Sequence, residues 1–225
     1  MALAAVIKPS IIKAADAKDL VKGLERMGCG PQDVYVKTFD SAYDSSSLFP
    51  SGHIRLRDWE GVNPTIKHSN GQHIADEFRA LKRMHDTLPK NVATPLALFG
   101  NMHGEVKGYL SEFVKGTCLH DYFVQPDLWA QYGLVARDVL HELVRVVAEL
   151  NARAIGHYDM ADYNIMVTYD GKVVLIDPFP ALRSTRRTDT DLVHDILDRA
   201  TLMGMITPEE YNDLSYTLLT SPQER

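Results

Sequence analysis

Two apolar strands on either side of Asp170-Gly171 place the tightest constraint on how this 225-residue chain folds. Ile165-Met166-Val167 and Val173-Val174-Leu175-Ile176 are apolar and rich in β-branched residues, and an Asp-Gly pair between such runs is a strong signal for a two-residue turn. Closing that hairpin brings the loop before its first strand, Gly156 to Asn164, beside Asp177, which ends the second. Three oxygen-bearing side chains, Asp159, Asn164 and Asp177, are thereby gathered. One carboxylate of such a set orients an acceptor hydroxyl, while the carboxamide and the other carboxylate hold hard cations that neutralise phosphate charge as it develops. The competing bland reading makes Asp159 and Asp162 decorations of a surface turn, Asn164 a strand cap and Asp177 a strand stop.

The same residues resemble the protein-kinase superfamily, where a loop of the form His-x-Asp-x-x-x-x-Asn precedes a short hairpin and a metal-binding Asp. Here the matching residues are His157, Asp159, Asn164 and Asp177. The resemblance implies an α+β, two-lobed fold, with a small antiparallel sheet and one helix in the first lobe and a truncated, mainly helical second lobe. It also implies ATP with Mg²⁺, or Mn²⁺ in its place, bound by Asn164 and Asp177, with Asp159 positioning the acceptor hydroxyl. His157 is expected to brace the loop by hydrogen bonding.

Further features then become expectations upstream. Pro64-Thr65-Ile66-Lys67-His68 is a short β-prone segment, and Ser69-Asn70-Gly71 breaks it before a helix from about Gln72 to Thr87. On that helix Ile74, Phe78, Leu81 and Met84 recur at helical spacing, which makes them the buried stripe and sets Glu77 at its edge. The resemblance assigns Lys67 to the ATP phosphates and Glu77 to holding that lysine; the plain alternative is an exposed lysine and a solvated glutamate. Glu112-Phe113-Val114-Lys115-Gly116 is similar to a kinase hinge, so the backbone around Glu112 and Val114 is expected at the adenine edge. No Gly-x-Gly-x-x-Gly loop is present. Asp33–Thr38 and His53–Arg57 read as strands, and between them Ser45, Ser46, Ser47, Ser51 and Gly52 are the candidates to cover phosphates, with a plain surface loop as the alternative.

Several departures shape the reading. Tyr158 stands where most eukaryotic kinases have arginine, Ala161 where a lysine is usual, and Pro178 follows the metal-binding Asp177. Proline fixes its own φ, so the segment is expected to be assembled permanently rather than switched. These features resemble small bacterial effector kinases delivered by type III secretion and phage-encoded kinases. With little chain after Asp177 to build an acidic pocket, transfer to a protein Ser or Thr is favoured over an aminoglycoside- or choline-kinase-like activity. A nucleotide-binding pseudokinase is the non-enzymatic alternative, and a tyrosine acceptor stays open.

Composition narrows the partners. A formal charge of −6 and a pI near 5.8 supply no dominant basic field, which argues against a nucleic-acid backbone, although Arg183, Arg186 and Arg187 form a local basic cluster. Cys29 and Cys118 have no metal-ligand spacing and suit a reducing cytosol, that of a host cell after delivery included. No run approaches the ~20 apolar residues of a membrane span, and Met1 to Ile7 lacks the basic start of a secretory signal. The expected map is a monomer with an N-terminal extension over residues 1–31 carrying a helix from about Ala14 to Met27, a first lobe over 32–111, and a hinge and minimal second lobe over 112–225. In that second lobe one helix is expected from Trp129 to Arg153, another around Asp191 to Met203, and a last one starting at Pro208 with Thr207 as its cap. Ser184, Thr185 and Thr188 are candidate self-modification sites.

Overall fold

The computed structural model describes residues 11–38, 41–43, 53–55, 70–179 and 188–220. Its chain divides into two units, Met1–Arg79 with Thr94–Phe113, and Ala80–Ala93 with Val114–Arg225. The first unit is built on β1 (Ile11–Lys13), β2 (Val34–Thr38), β3 (His53–Arg55), β4 (Pro95–Gly100) and β5 (Val106–Glu112), in the spatial order β1-β4-β5-β2-β3. The central pairs β4–β5 and β5–β2 are antiparallel, as expected. The edge pairs are not: β1 runs parallel to β4 and β3 parallel to β2.

Alternation along the strands sorts this sheet onto two faces. Val34, Val36 and Leu110 fall on one face with Ala97 and Phe99, and there they pack with Ala14, Leu20, Leu24 and Tyr43. Leu20 and Leu24 come from helix α1 (Ala17–Arg26), which Asp16 caps by accepting the Asp19 N–H at 3.0 Å and which Gly28 ends at a φ of 74°. The N-terminal segment is therefore part of the first unit: it supplies an edge strand and a covering helix. Lys37 and Tyr109 face the other way. They are direct cross-strand partners on β2 and β5, and helix α2 (Asn70–Thr87) lies over them. The expected stripe Ile74, Phe78, Leu81 and Met84 is buried, and Glu77 lies deeper than the edge position foreseen for it, at 3 % exposure. The division between the units falls within α2, between Arg79 and Ala80.

The second unit holds the Asp170-Gly171 hairpin. Strands β6 (Gly116–Cys118), β7 (Ile165–Thr168) and β8 (Val173–Leu175) form an antiparallel sheet in that order, with Val167 opposite Val173 and Gly171 at a φ of 82° in the turn. Around it lie α3 (Leu119–Val124), α4 (Asp127–Gln131), α5 (Ala136–Asn151), α6 (Asp189–Leu202) and α7 (Pro208–Thr220). The single helix expected from Trp129 to Arg153 is broken: Gly133 takes a φ of 65°, which stops α4, and α5 starts afresh at Ala136 with Leu140, Leu143, Val147 and Leu150 buried. Thr188 and Asp191 form a capping box on α6, and Thr207 accepts the Glu210 N–H at 3.2 Å as the expected cap of α7. Among the described residues no helix is long and apolar enough to cross a membrane.

Candidate active site

Hairpin closure in the second unit brings together the three residues that the sequence puts around it. The loop before β7 carries Asp159, half-buried, and Asn164, buried, and β8 runs directly into Asp177. The Ile176 N–H donates to the Asn164 carbonyl at 3.0 Å, which locks the start of β7 beside the end of β8. Asn164 Nδ2 donates to the Asp159 main-chain oxygen at 3.0 Å and to its Oδ2 at 2.9 Å. Both partners are pure acceptors, so the amide must present its nitrogen to them, and Oδ1 is the atom left for a cation.

His157 ties this loop to Asp177 through three peptide groups. Its ring is fully buried, and Nε2 lies 2.8 Å from the Ile176 carbonyl, an acceptor, so Nε2 carries the proton. Nδ1 then accepts the Asp159 N–H at 3.3 Å, and the His157 carbonyl accepts the Phe179 N–H at 2.8 Å. This is a neutral imidazole with both nitrogens engaged, a brace and not a base. Between Ile176 and Phe179, Asp177 sits at a φ of 55°, a left-handed conformation uncommon for a residue with a side chain. Such strain costs on the order of 1–3 kcal/mol and persists where neighbours over-determine it, as the His157 contacts on both flanks do here.

Asp189, the first residue of α6, is a further member of the site that the sequence reading passed over. Its Oδ2 accepts the His157 N–H at 2.5 Å and its Oδ1 the Tyr158 N–H at 2.8 Å. Tyr158 has a φ of 62°, and consecutive N–H groups around a left-handed residue form an anion-binding nest. Gly156 lets that happen, since a Cβ there would lie 2.5 Å from the Tyr158 ring. Burial pushes the Asp189 carboxyl above its ordinary range and the His157 imidazole below its own, and each shift is opposed by the charge of the other. An acidic residue directly after a Thr cap was the available signal, but it reads locally as helix capping.

On the first unit Glu77 is held by Lys37. The Lys37 ammonium donates to Glu77 Oε1, both side chains are buried, and the Tyr109 hydroxyl donates to the same oxygen at 3.1 Å. Lys67, foreseen as the partner of Glu77, lies outside the described residues, as do Gly52, Ser45, Ser46, Ser47, Ser51, Arg183, Arg186, Arg187, Ser184 and Thr185. Lys37 also stands near the end of a β-prone run, Val34 to Thr38, so the strand signal for it was present; what was missing was the topology that carries β2 beneath α2. Glu112 ends β5 with its side chain engaged: Thr94 Oγ1 donates to Oε2 at 2.6 Å, and the Glu112 N–H donates to the Thr94 carbonyl at 2.8 Å. Val114 opens the second unit, half-buried.

Among the described residues no group of three or more His, Cys, Asp or Glu side chains is placed to hold a metal. Asn164 Oδ1 and the Asp177 carboxylate are hard oxygen donors, too few for a cage made of protein alone. They fit Mg²⁺, which keeps several waters and takes one or two carboxylates together with substrate phosphates. No protein-family model matches the chain, and a search of curated proteins finds no match either.

Proposed function

We propose that the protein is an ATP- and Mg²⁺-dependent phosphotransferase of protein-kinase-like, two-lobed fold that phosphorylates a Ser or Thr hydroxyl of a protein. The observation that carries this reading is the Asn164 carboxamide clamped onto Asp159 while His157 holds Asp159 and the strained Asp177 segment to each other. A surface turn has no use for a buried imidazole with both nitrogens engaged, and strain of this kind clusters at functional sites.

Each residue has a role in that chemistry. Asp159 accepts a hydrogen bond from the acceptor hydroxyl and aids departure of its proton. Mg²⁺, when bound, neutralises charge on the phosphates, and Asn164 and Asp177 are the residues that would hold it. Lys37, held by Glu77, supplies the ammonium for the ATP phosphates, the part first given to Lys67. A buried ion pair adds little net stability because desolvation offsets the attraction, so its presence on one face of a small sheet favours a functional use. His157 and Asp189 set the loop geometry without touching substrate. The peptide groups at Glu112 and Val114 are the proposed adenine contacts. A reducing cytosol, in the producing cell or in a host, is the proposed setting.

The test is incubation with labelled ATP and Mg²⁺ against a protein lysate, with a panel of amino-alcohol compounds run in parallel. Label is expected in protein, and Asp159→Ala is expected to abolish it while nucleotide still raises the melting temperature. Equal labelling by wild type and Asp159→Ala refutes the reading; label in a small compound moves it to a small-molecule kinase.

A further inference from the structure

Lys37 and Tyr109 sit directly opposite each other on β2 and β5, so their side chains leave the same face of the sheet side by side. Above them Glu77 presents one oxygen, Oε1, and both the ammonium and the hydroxyl donate to it. Tyr109 is 1 % exposed and its ring lies against Phe78, with centroids 6.0 Å apart, so packing fixes where the hydroxyl points. The next residue back allows this close approach: a Cβ on Gly108 would come within 2.3 Å of the Lys37 carbonyl oxygen.

We propose that Tyr109 is a positioning residue that tunes the grip of Glu77 on Lys37, and so the readiness of the Lys37 ammonium to bind a nucleotide triphosphate. The inference rests on the phosphotransferase reading above. Two donors on one carboxylate oxygen divide its electron density, so each bond is weaker than it would be alone. Lys37 stays aligned by Glu77 yet is held less tightly, and it can turn part of its hydrogen bonding toward phosphate oxygens. With the hydroxyl removed, Glu77 Oε1 binds the ammonium harder and competes with the phosphates. That penalty falls on nucleotide binding, because Tyr109 acts through Glu77 on the lysine assigned above to the ATP phosphates.

The variant is Tyr109→Phe, which keeps the ring and its packing on Phe78. Its KM for ATP is expected to rise about tenfold while kcat stays within about twofold, in line with the loss of a hydrogen bond to a charged group. In a Glu77→Gln background the same substitution should change KM by less than about twofold, since the carboxylate through which it acts is gone. Independently of turnover, the ¹⁵N-labelled Lys37 ammonium signal should move in Tyr109→Phe. An unmoved Lys37 signal overturns the proposal, and so does an equal KM change in both backgrounds; if Glu77→Gln does not fold, the Lys37 signal and the KM against kcat split in Tyr109→Phe alone decide. Wild-type protein that transfers no phosphate overturns the phosphotransferase reading instead, and then the Lys37 signal still decides whether Tyr109 acts through Glu77.

Discussion

The two charged centres of this protein are stabilised in opposite ways. On the first unit Glu77 and Lys37 neutralise each other while buried, with a tyrosine hydroxyl as the third partner. On the second, Asp159 stays half-buried and is held by neutral groups: the Asn164 amide donates to its carboxylate and its main-chain oxygen, and the His157 imidazole accepts its N–H. A buried charge that loses its partner must be desolvated without compensation, whereas a carboxylate near solvent is hydrated whether or not its neighbours are present. Changes at the first centre therefore report on folding as well as on function, and changes at the second report on function alone.

The sharpest way to break that contrast is a pair of alanine substitutions measured by both melting and turnover. Asp159→Ala is expected to reduce turnover by about 10²–10⁴-fold with little change in stability. Lys37→Ala should lose turnover and also stability, because the buried Glu77 carboxylate loses this ion-pair partner while keeping the Tyr109 hydroxyl. Lys67→Ala, measured beside it, tests the assignment made from sequence. If Lys67→Ala is the variant that loses nucleotide binding and Lys37→Ala keeps it, the assignment of the ammonium reverts to Lys67.

Sequence separation explains why one centre was readable before folding and the other was not. Asp159 and Asn164 are five residues apart, and a tight hairpin fixes Asp177 beside them, with a three-residue loop, Tyr169 to Gly171, in place of the expected two-residue turn, so local rules suffice. Lys37 and Glu77 are forty residues apart and meet only because β2 lies next to β5 and beneath α2. From sequence the nearest lysine before the helix, Lys67, is the natural choice, and it lies outside the described residues; the pairing that brings Lys37 to Glu77 has no local signal. The break between α4 and α5 was within reach, since Gly133 marks it; apolar spacing that continued past the glycine hid it. Asp189 tests the same lesson within the second unit, because it reaches the loop before β7 from 31 and 32 residues away. Asp189→Asn keeps the shape but sets an NH₂ against a backbone N–H, for an expected loss of about 1–3 kcal/mol. Turnover should fall with it, and unchanged kinetics would show that the nest at His157 and Tyr158 does not shape the loop.

A smaller effect is expected from pH. Burial lowers the His157 pKa below its ordinary value near 6.5, so on acidification the unfolded chain takes up a proton that the folded one refuses. Stability from this group is full above about pH 6.5 and is lost as pH falls below it. Asp189 works in the opposite sense: its raised carboxyl favours the folded state at acid pH, and that contribution is lost as pH rises out of the carboxylate range. The His157 effect is therefore read at the upper end, just below pH 6.5, as a falling melting temperature. His157→Gln should be less stable overall and flat across that window; an equal slope in the variant would assign the acid sensitivity elsewhere.

The smallest effect compares one thiol from each unit. Cys118 is raised from 9.0 to about 11, first by burial and then by the hydrogen bond its thiol gives to the Asp121 carboxylate at 3.1 Å, since a thiolate there would face that negative charge. Cys29 in the first unit is raised too, by burial first and by Asp33 second. The thiolate is the species that alkylates, so a shift of this size leaves roughly a hundredfold fewer reactive groups at pH 8 than an ordinary thiol has. Iodoacetamide is expected to label Cys29 before Cys118, with the Cys118 rate still rising beyond pH 10. Asp121→Asn should quicken Cys118 only in part, because burial, the larger cause, remains; full recovery of an ordinary rate would reverse that order and make the carboxylate the dominant influence.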